Sequence, residues 1–279
     1  MTFRNKYLLL LFIASAAFAQ KGKEVTLKVL YTPQTTYRQA FVQKHTTTIT
    51  YKANPDVLNV LKEQGIQNPT VQDLYTDYAT ETHTEKSLDG KVMPLTIRFV
   101  KAPVSFGKQG ISATTKIYGH TETAGMPKVD SIIAPDLNQA FRQSLLATLD
   151  GMFSQMKFPD KPFGLGEVQQ MTSSITLPLI GTTLDMDIIT DYKFVALKGG
   201  IATFDLVITY KAKNPDPALK ISAAGTGKGV MKYDTKKHFP LSQQSDIVMK
   251  IGFTYKEFDV DMTSDMHYDI SATVVPDAR

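Results

Sequence analysis

The sequence has no cysteine and no tryptophan among its 279 residues. Without thiols there is no disulfide staple, no thiolate nucleophile, no cysteine-based zinc site and no lipid carried on an N-terminal cysteine. An excess of charge is lacking too, since 31 Lys and Arg face 27 Asp and Glu for a formal +4. That balance excludes a strongly basic nucleic-acid binder and an acidic solvating tail. Beyond the N-terminus no apolar run approaches the roughly 18 residues of a membrane span. Catalytic spacing is also missing. The five histidines (His45, His83, His120, His238 and His267) form no H-x-H or H-E-x-x-H pattern. No G-x-S-x-G elbow, S-x-x-K or phosphate loop is present. These absences predict a protein that is not an enzyme and uses no cofactor, no metal and no nucleic-acid partner.

What is there begins with an export signal. Arg4 and Lys6 precede a charge-free apolar run over residues 7–18, and Ala17, Phe18 and Ala19 make a small-x-small cleavage site. Cutting after Ala19 removes a signal peptide over 1–19 and halves the formal charge. The mature chain is then expected to be periplasmic or secreted, with no membrane span and no lipid anchor. At 42% hydrophobic residues it can bury a sizeable core, so disorder is excluded.

The dominant period after the signal is two, the mark of strands with one buried face. Val25, Leu27, Val29 and Tyr31 alternate with polar residues, and a Thr-rich strand follows over 35–51. Asn54 and Pro55 open a short helix near residues 55–65, with Val57, Leu58 and Leu61 inward and Gly65 ending it. Further strands are expected over 71–85, 92–101 and 111–118. One long helix is expected over 135–157, where Leu137, Phe141, Leu145, Leu149, Met152 and Met156 recur at helical spacing. From Val168 strand follows strand, with turns at Gly199 and Gly200, at 214–217 and at Asp234. In the last hairpin the inward residues are odd-numbered up to Tyr255 and even-numbered from Phe258, so Lys256 and Glu257 form a tight turn.

The expected fold is mainly β (α+β): a large curved antiparallel half-barrel meander, with the long helix on its concave face. Residues 20–279 read as a single domain. A weak echo between 42–50 and 168–176 leaves open two related halves, 20–128 and 158–279, joined by the helix.

Three features bear on function. Ala223, Gly225, Gly227, Gly229, Met231 and Tyr233 share one face of a strand, so something bulky should lie on the glycine backbones, either the long helix or an apolar ligand. Methionines gather on the inward face of the second half, where they fill a core or line an adaptable groove. Candidate ligand-binding residues are Met152, Met156, Gly225, Gly227, Gly229, Met231, Met249, Phe253 and Met262. The third feature is a row of Glu257, Asp259, Asp261, Asp265, His267 and Asp269 on the last strand. Alternate carboxylates splay about 7 Å apart on a strand, which suits a solvated face better than a divalent site.

Residues 158–167 (F-P-D-K-P-F-G-L-G-E) and 225–234 (G-T-G-K-G-V-M-K-Y-D) carry a resemblance. The chain resembles a family of uncharacterised exported bacterial β-rich proteins with a similar P-x-K-P-x-x-x-G-[DE] turn and a G-x-G-x-G strand ending in Asp. Members often have a Trp soon after the Gly-acid pair, where this chain has Val168. At the level of fold it is also similar to periplasmic lipoprotein-carrier (Lol-type) half-barrels. The resemblance implies no catalytic residues.

The expectation is an exported non-enzymatic binding or carrier protein for a hydrophobic, lipid-like ligand. The alternative is a structural or protein-interaction module of the cell envelope with an envelope protein as partner. Export makes a direct prediction: N-terminal sequencing of the exported form reads Gln20 first, and an intact Met1 would refute the signal peptide.

Overall fold

The structure, a computed structural model, describes residues 24–87, 89–103, 111–122, 125–155, 158–179, 182–213, 220–255 and 258–277. The expected signal peptide, Met156 and the turns expected at 214–217 and at Lys256 and Glu257 lie outside these described residues. The elements, in chain order, are β1 (Thr35–Lys52), α1 (Pro55–Glu63), β2 (Thr70–Thr84), β3 (Val92–Lys101), β4 (Lys116–Glu122), β5 (Lys128–Ile133), α2 (Gln139–Gln155), β6 (Val168–Leu179), β7 (Thr182–Lys198), β8 (Ile201–Ala212), β9 (Ser222–Asp234), β10 (Phe239–Tyr255) and β11 (Phe258–Pro276).

All eleven strands join one antiparallel sheet in the order β5-β4-β3-β2-β1-β11-β10-β9-β8-β7-β6, which is open at β5 and β6. The chain starts at the centre, meanders out to β5, passes through α2 to the far edge at β6, and meanders back until β11 docks on β1. Both meanders progress in the same sense, so β1 and β6, which carry the echoed segments, each open one. The inner face follows the expected parity. Ile247, Ile251 and Phe253 are buried on β10, Val260, Ser264 and Met266 on β11, and Tyr255 pairs with Phe258 across the last hairpin.

The expected single long helix over the sheet is not what the chain forms. Two shorter helices are described, and α2 begins at Gln139 rather than Pro135. Asn138 sets that start: its Oδ1 accepts from the Phe141 N–H at 2.9 Å and its carbonyl from the Arg142 N–H at 3.1 Å. Pro135 and Asp136 form a turn ahead of it. Buried Leu137 and Leu145, with Phe141, Leu149 and Phe153, pack on Ile97, Phe99 and Ile117, so α2 covers the β3–β5 wing and not the glycine strand. α1 is capped as expected, with Asn54 Oδ1 accepting from the Val57 N–H at 2.9 Å, but it buries no residue. Among the described residues no helix is long and apolar enough to cross a membrane.

The β6–β11 half is covered instead by an extended strap, residues 25–31. Its alternation is as expected, yet it is not a strand of the sheet and makes only an isolated bridge to Phe163. The Val25 N–H donates to Phe163 O at 3.0 Å, the Phe163 N–H returns to Val25 O at 2.8 Å, and the Leu30 N–H donates to His238 O at 3.0 Å. Every second side chain points down onto the sheet. Val25 and Leu27 join Phe163, Phe194, Phe204, Met231 and Tyr233 in a closed core. Tyr31 sits against Tyr37 and Phe239, with ring centroids 4.9 and 5.9 Å away. The strand expected over 111–118 is displaced as well: it starts at Lys116, after a turn that buries Ile111 and Thr115.

The glycines of β9 do face inward, but the object above them is neither helix nor strap. A Cβ on Gly227 would lie 2.7 Å from Ile247 Cγ1 and 2.8 Å from Asp246 O, and one on Gly229 would strike Ser245 Oγ and Gln244 O. The neighbouring strand β10 leans over them, so the missing side chains serve close strand packing. Gly227→Leu should therefore cost on the order of 1–3 kcal/mol by overpacking. Thr226→Leu, on the exposed outer face, should cost within about 0.5 kcal/mol. Urea denaturation of the two variants checks this, and equal tolerance would refute the facing of β9.

Candidate functional site

The inner face divides by what lies on it. Its lower part, where the strap runs, is filled. The upper part is lined by strand residues and by Ile221 just before β9. Leu184, Met186, Ile251, Phe253 and Val260 form its buried floor, and half-buried Ile49, Tyr51, Ile175, Leu177, Met249 and Met262 surround them. Among the described residues, none from α1, α2 or the strap belongs to this cluster. β-Branched and sulfur-containing side chains at alternate positions produce the wall, because each strand turns one residue in two to the same side.

A polar strip interrupts the wall where β1 meets β11. Thr47 faces Ser264 and His45 faces Met266 in the strand register. Thr47 Oγ1 and Ser264 Oγ share a hydrogen bond at 3.1 Å, and Thr47 Oγ1 lies 2.8 Å from His45 Nε2. Beside them Gln43 Nε2 donates to Tyr268 OH at 3.3 Å, and that hydroxyl donates to Met266 Sδ at 3.3 Å. Burial pushes the His45 pKa below its ordinary value, which favours the neutral imidazole. Burial, with Tyr268 adding a repulsive charge, pushes the Tyr210 phenol up to about 12.

This arrangement can hydrogen-bond a polar group while apolar surface continues above it. Thr47 meets the imidazole directly and Ser264 only through Thr47, and among the described residues no carboxylate bonds the other His45 nitrogen to orient the ring. The other histidines lie apart: His120 with Asp130 at 2.9 Å, His267 with Asp246 at 2.7 Å, His83 near Glu85 and Asp277, and His238 by Tyr233. Among the described residues no three metal-ligating side chains gather. The acidic row of β11 is instead engaged pairwise across strands, Lys52 with Asp261 at 2.5 Å and Thr254 with Asp259 at 2.7 Å. A cavity of about 560 Å³ lies away from the inner face, between α1 and residues 65–68.

The candidate residues from the sequence are separated by the fold. Met249, Phe253 and Met262 come together on the upper wall, with Gly225 paired to Met249. Met231 is 1% exposed in the strap-covered core, which leaves it no open surface. Gly227 and Gly229 lie under β10 side chains. Met152 falls on α2, but its side chain is outside the described set, as is the whole of Met156. His45, Thr47 and Ser264 were missed. Their signal was in the period-two pattern, as polar residues in the inward phase of strands otherwise carrying Ile49, Met262 and Met266 there.

No protein-family model and no curated protein matches the chain.

The neutral imidazole carries a pH signature. In the folded state His45 binds its proton more weakly than in the unfolded chain. The unfolded chain therefore holds more protons below pH about 6.5, and stability falls as the pH drops through that window. His45→Gln, which keeps a hydrogen-bonding group, should flatten the fall in Tm between about pH 6.5 and pH 5 relative to wild type. Parallel Tm–pH curves for the two proteins would refute a depressed His45.

Proposed function

We propose that this is an exported, non-enzymatic carrier or binding protein for a lipid-like amphiphile, held on the upper inner face of the sheet. The observation that carries the reading is the Met249–Phe253–Met262 wall with no described helix or strap on it, bordered by His45, Thr47 and Ser264. An acyl chain would lie along the wall, since methionine adapts to varied apolar partners. A polar headgroup would take hydrogen bonds from the neutral imidazole and the two hydroxyls. The absence of cysteine and of catalytic spacing supports a binding role over chemistry, and the export signal supports a periplasmic or secreted setting. The open edge of the sheet favours a second reading, a protein-interaction module of the envelope.

Fluorescence titration with an environment-sensitive fatty-acid probe tests the carrier. Met262→Lys places a charge on the wall and should weaken binding at least about tenfold, the scale of one unpaired polar group in an apolar site. Val248→Lys, on the exposed outer face of β10, should leave it within about twofold. A wild-type protein that binds no apolar probe would overturn the carrier reading. Native mass spectrometry of protein drawn from its own envelope then identifies the ligand through a co-purifying lipid mass.

A further inference from the structure

The two edges of the sheet are built differently. β5 has six residues, carries Lys128 and Asp130, is bulged at Asp130 opposite Tyr118 and Gly119, and has α2 against it. Short length, charge and irregularity are the usual protections of an exposed edge. β6 has none of them. It runs for twelve residues, V-Q-Q-M-T-S-S-I-T-L-P-L, without one charged side chain, and its single proline stands next to its end. Its outer-face polar groups are turned inward onto β7: Gln170 Nε2 donates to Asp191 at 2.8 Å, Ser174 Oγ to Asp187 at 2.8 Å and Thr176 Oγ1 to Asp185 at 2.6 Å. Those side chains are held back from the free flank. Among the described residues β6 pairs only with β7, so alternate N–H and C=O groups along it face outward without a backbone partner.

We infer that β6 is a self-association edge, pairing antiparallel with β6 of a second copy of this chain across a two-fold axis near Ser173 and Ser174. Antiparallel self-pairing is isologous, and an uncharged strand meets its own copy without repulsion. The carboxylates of Asp185, Asp187 and Asp191 on β7 belong to strands three spacings, about 14 Å, from their counterparts, beyond the Debye length of about 8 Å at physiological salt; Lys213, whose Nζ donates to Ser174 Oγ at 3.1 Å, is neutralised by Asp187 at 3.0 Å. Inner-face Met171, Ile175 and Leu177 are half-exposed on the single chain and would meet each other across the seam. Ile175 and Leu177 also end the upper apolar wall, so the second copy would extend that wall rather than interrupt it. One strand per copy is a small interface, which sets the expected affinity in the micromolar range. The inference does not depend on the carrier reading.

Sedimentation equilibrium of the full mature chain from about 1 to about 100 µM tests it. Wild type should dimerise in that range. Thr172→Lys with Thr176→Lys puts like charges on both edges and should raise the dimer Kd at least about tenfold with the melting transition retained. Ser131→Lys, on the opposite edge at β5, should leave the Kd unchanged. A second readout is hydrogen exchange, in which outward β6 amides should slow as protein concentration rises. A wild type that stays monomeric throughout would overturn the inference and leave the edge to a strand of a different protein. A dimer indifferent to the two lysines, or equally sensitive to Ser131→Lys, would overturn it as well.

Discussion

The pairing of β1 with β11 makes one sheet out of two meanders. Its register runs unbroken from Thr35 opposite Pro276 to Lys52 opposite Asp259. Without it, two of the longest strands would each present a bare edge, and the inner face would be cut where the polar strip now lies. A slip of one residue would turn Lys44 and Thr46 inward and Thr47 and Ile49 out. Features on both faces oppose that slip. Inside, Thr47 meets Ser264 at less than a tenth of full exposure, so displacing either leaves a buried hydroxyl unsatisfied. Outside, Lys52 on β1 pairs with Asp261 on β11 at 2.5 Å, while Glu81 on β2, bonded by Arg38 on β1 and Arg98 on β3, ties the centre to the first wing.

Two covers then divide the inner face. α2 closes the β3–β5 wing, while the strap and Phe163 close the lower part of the other half, where Phe204 lies between Phe163 and Phe194 at ring distances of 5.1 and 5.3 Å. Among the described residues, no α2 side chain joins the cluster of Met249 and Met262, and Met249 only borders the strap-covered core. The position of the candidate site is thus set by where the covers stop as much as by its own residues.

The sequence was read correctly wherever the question was which side of a strand is buried. Parity placed Gly225, Gly227 and Gly229 inward, set the inner phase of β10 and β11, and Asn54 with Pro55 announced α1. It misled wherever the question was what does the burying. Alternation from Val25 to Tyr31 has the same form for a sheet strand and for a strap lying on a sheet, because both hide every second side chain. Empty positions on β9 could not name their neighbour, and Ile247 and Ser245 of β10 fill that space rather than a helix. The start of α2 was expected at Pro135, a residue suited to a first helical turn, whereas the Asn138 side chain caps the helix three residues later. As for the site, methionines drew the eye to the wall, whereas His45 and Thr47 were inconspicuous in a strand rich in threonine.

The strap also has a bearing on timing. Apart from Tyr37 and Met93, its docking partners, among them Phe163, Tyr233, His238 and Phe239, lie far downstream, as does the β11 that β1 needs. A chain delivered from its N-terminus therefore presents the strap and the bare flank of β1 long before anything can receive them. At about 5–20 residues per second the wait lasts on the order of tens of seconds. During it the inner face over the central strands lacks its later partners, while α2 can already close on β3–β5. A protein organised in this way completes its central sheet only once β11 has been made.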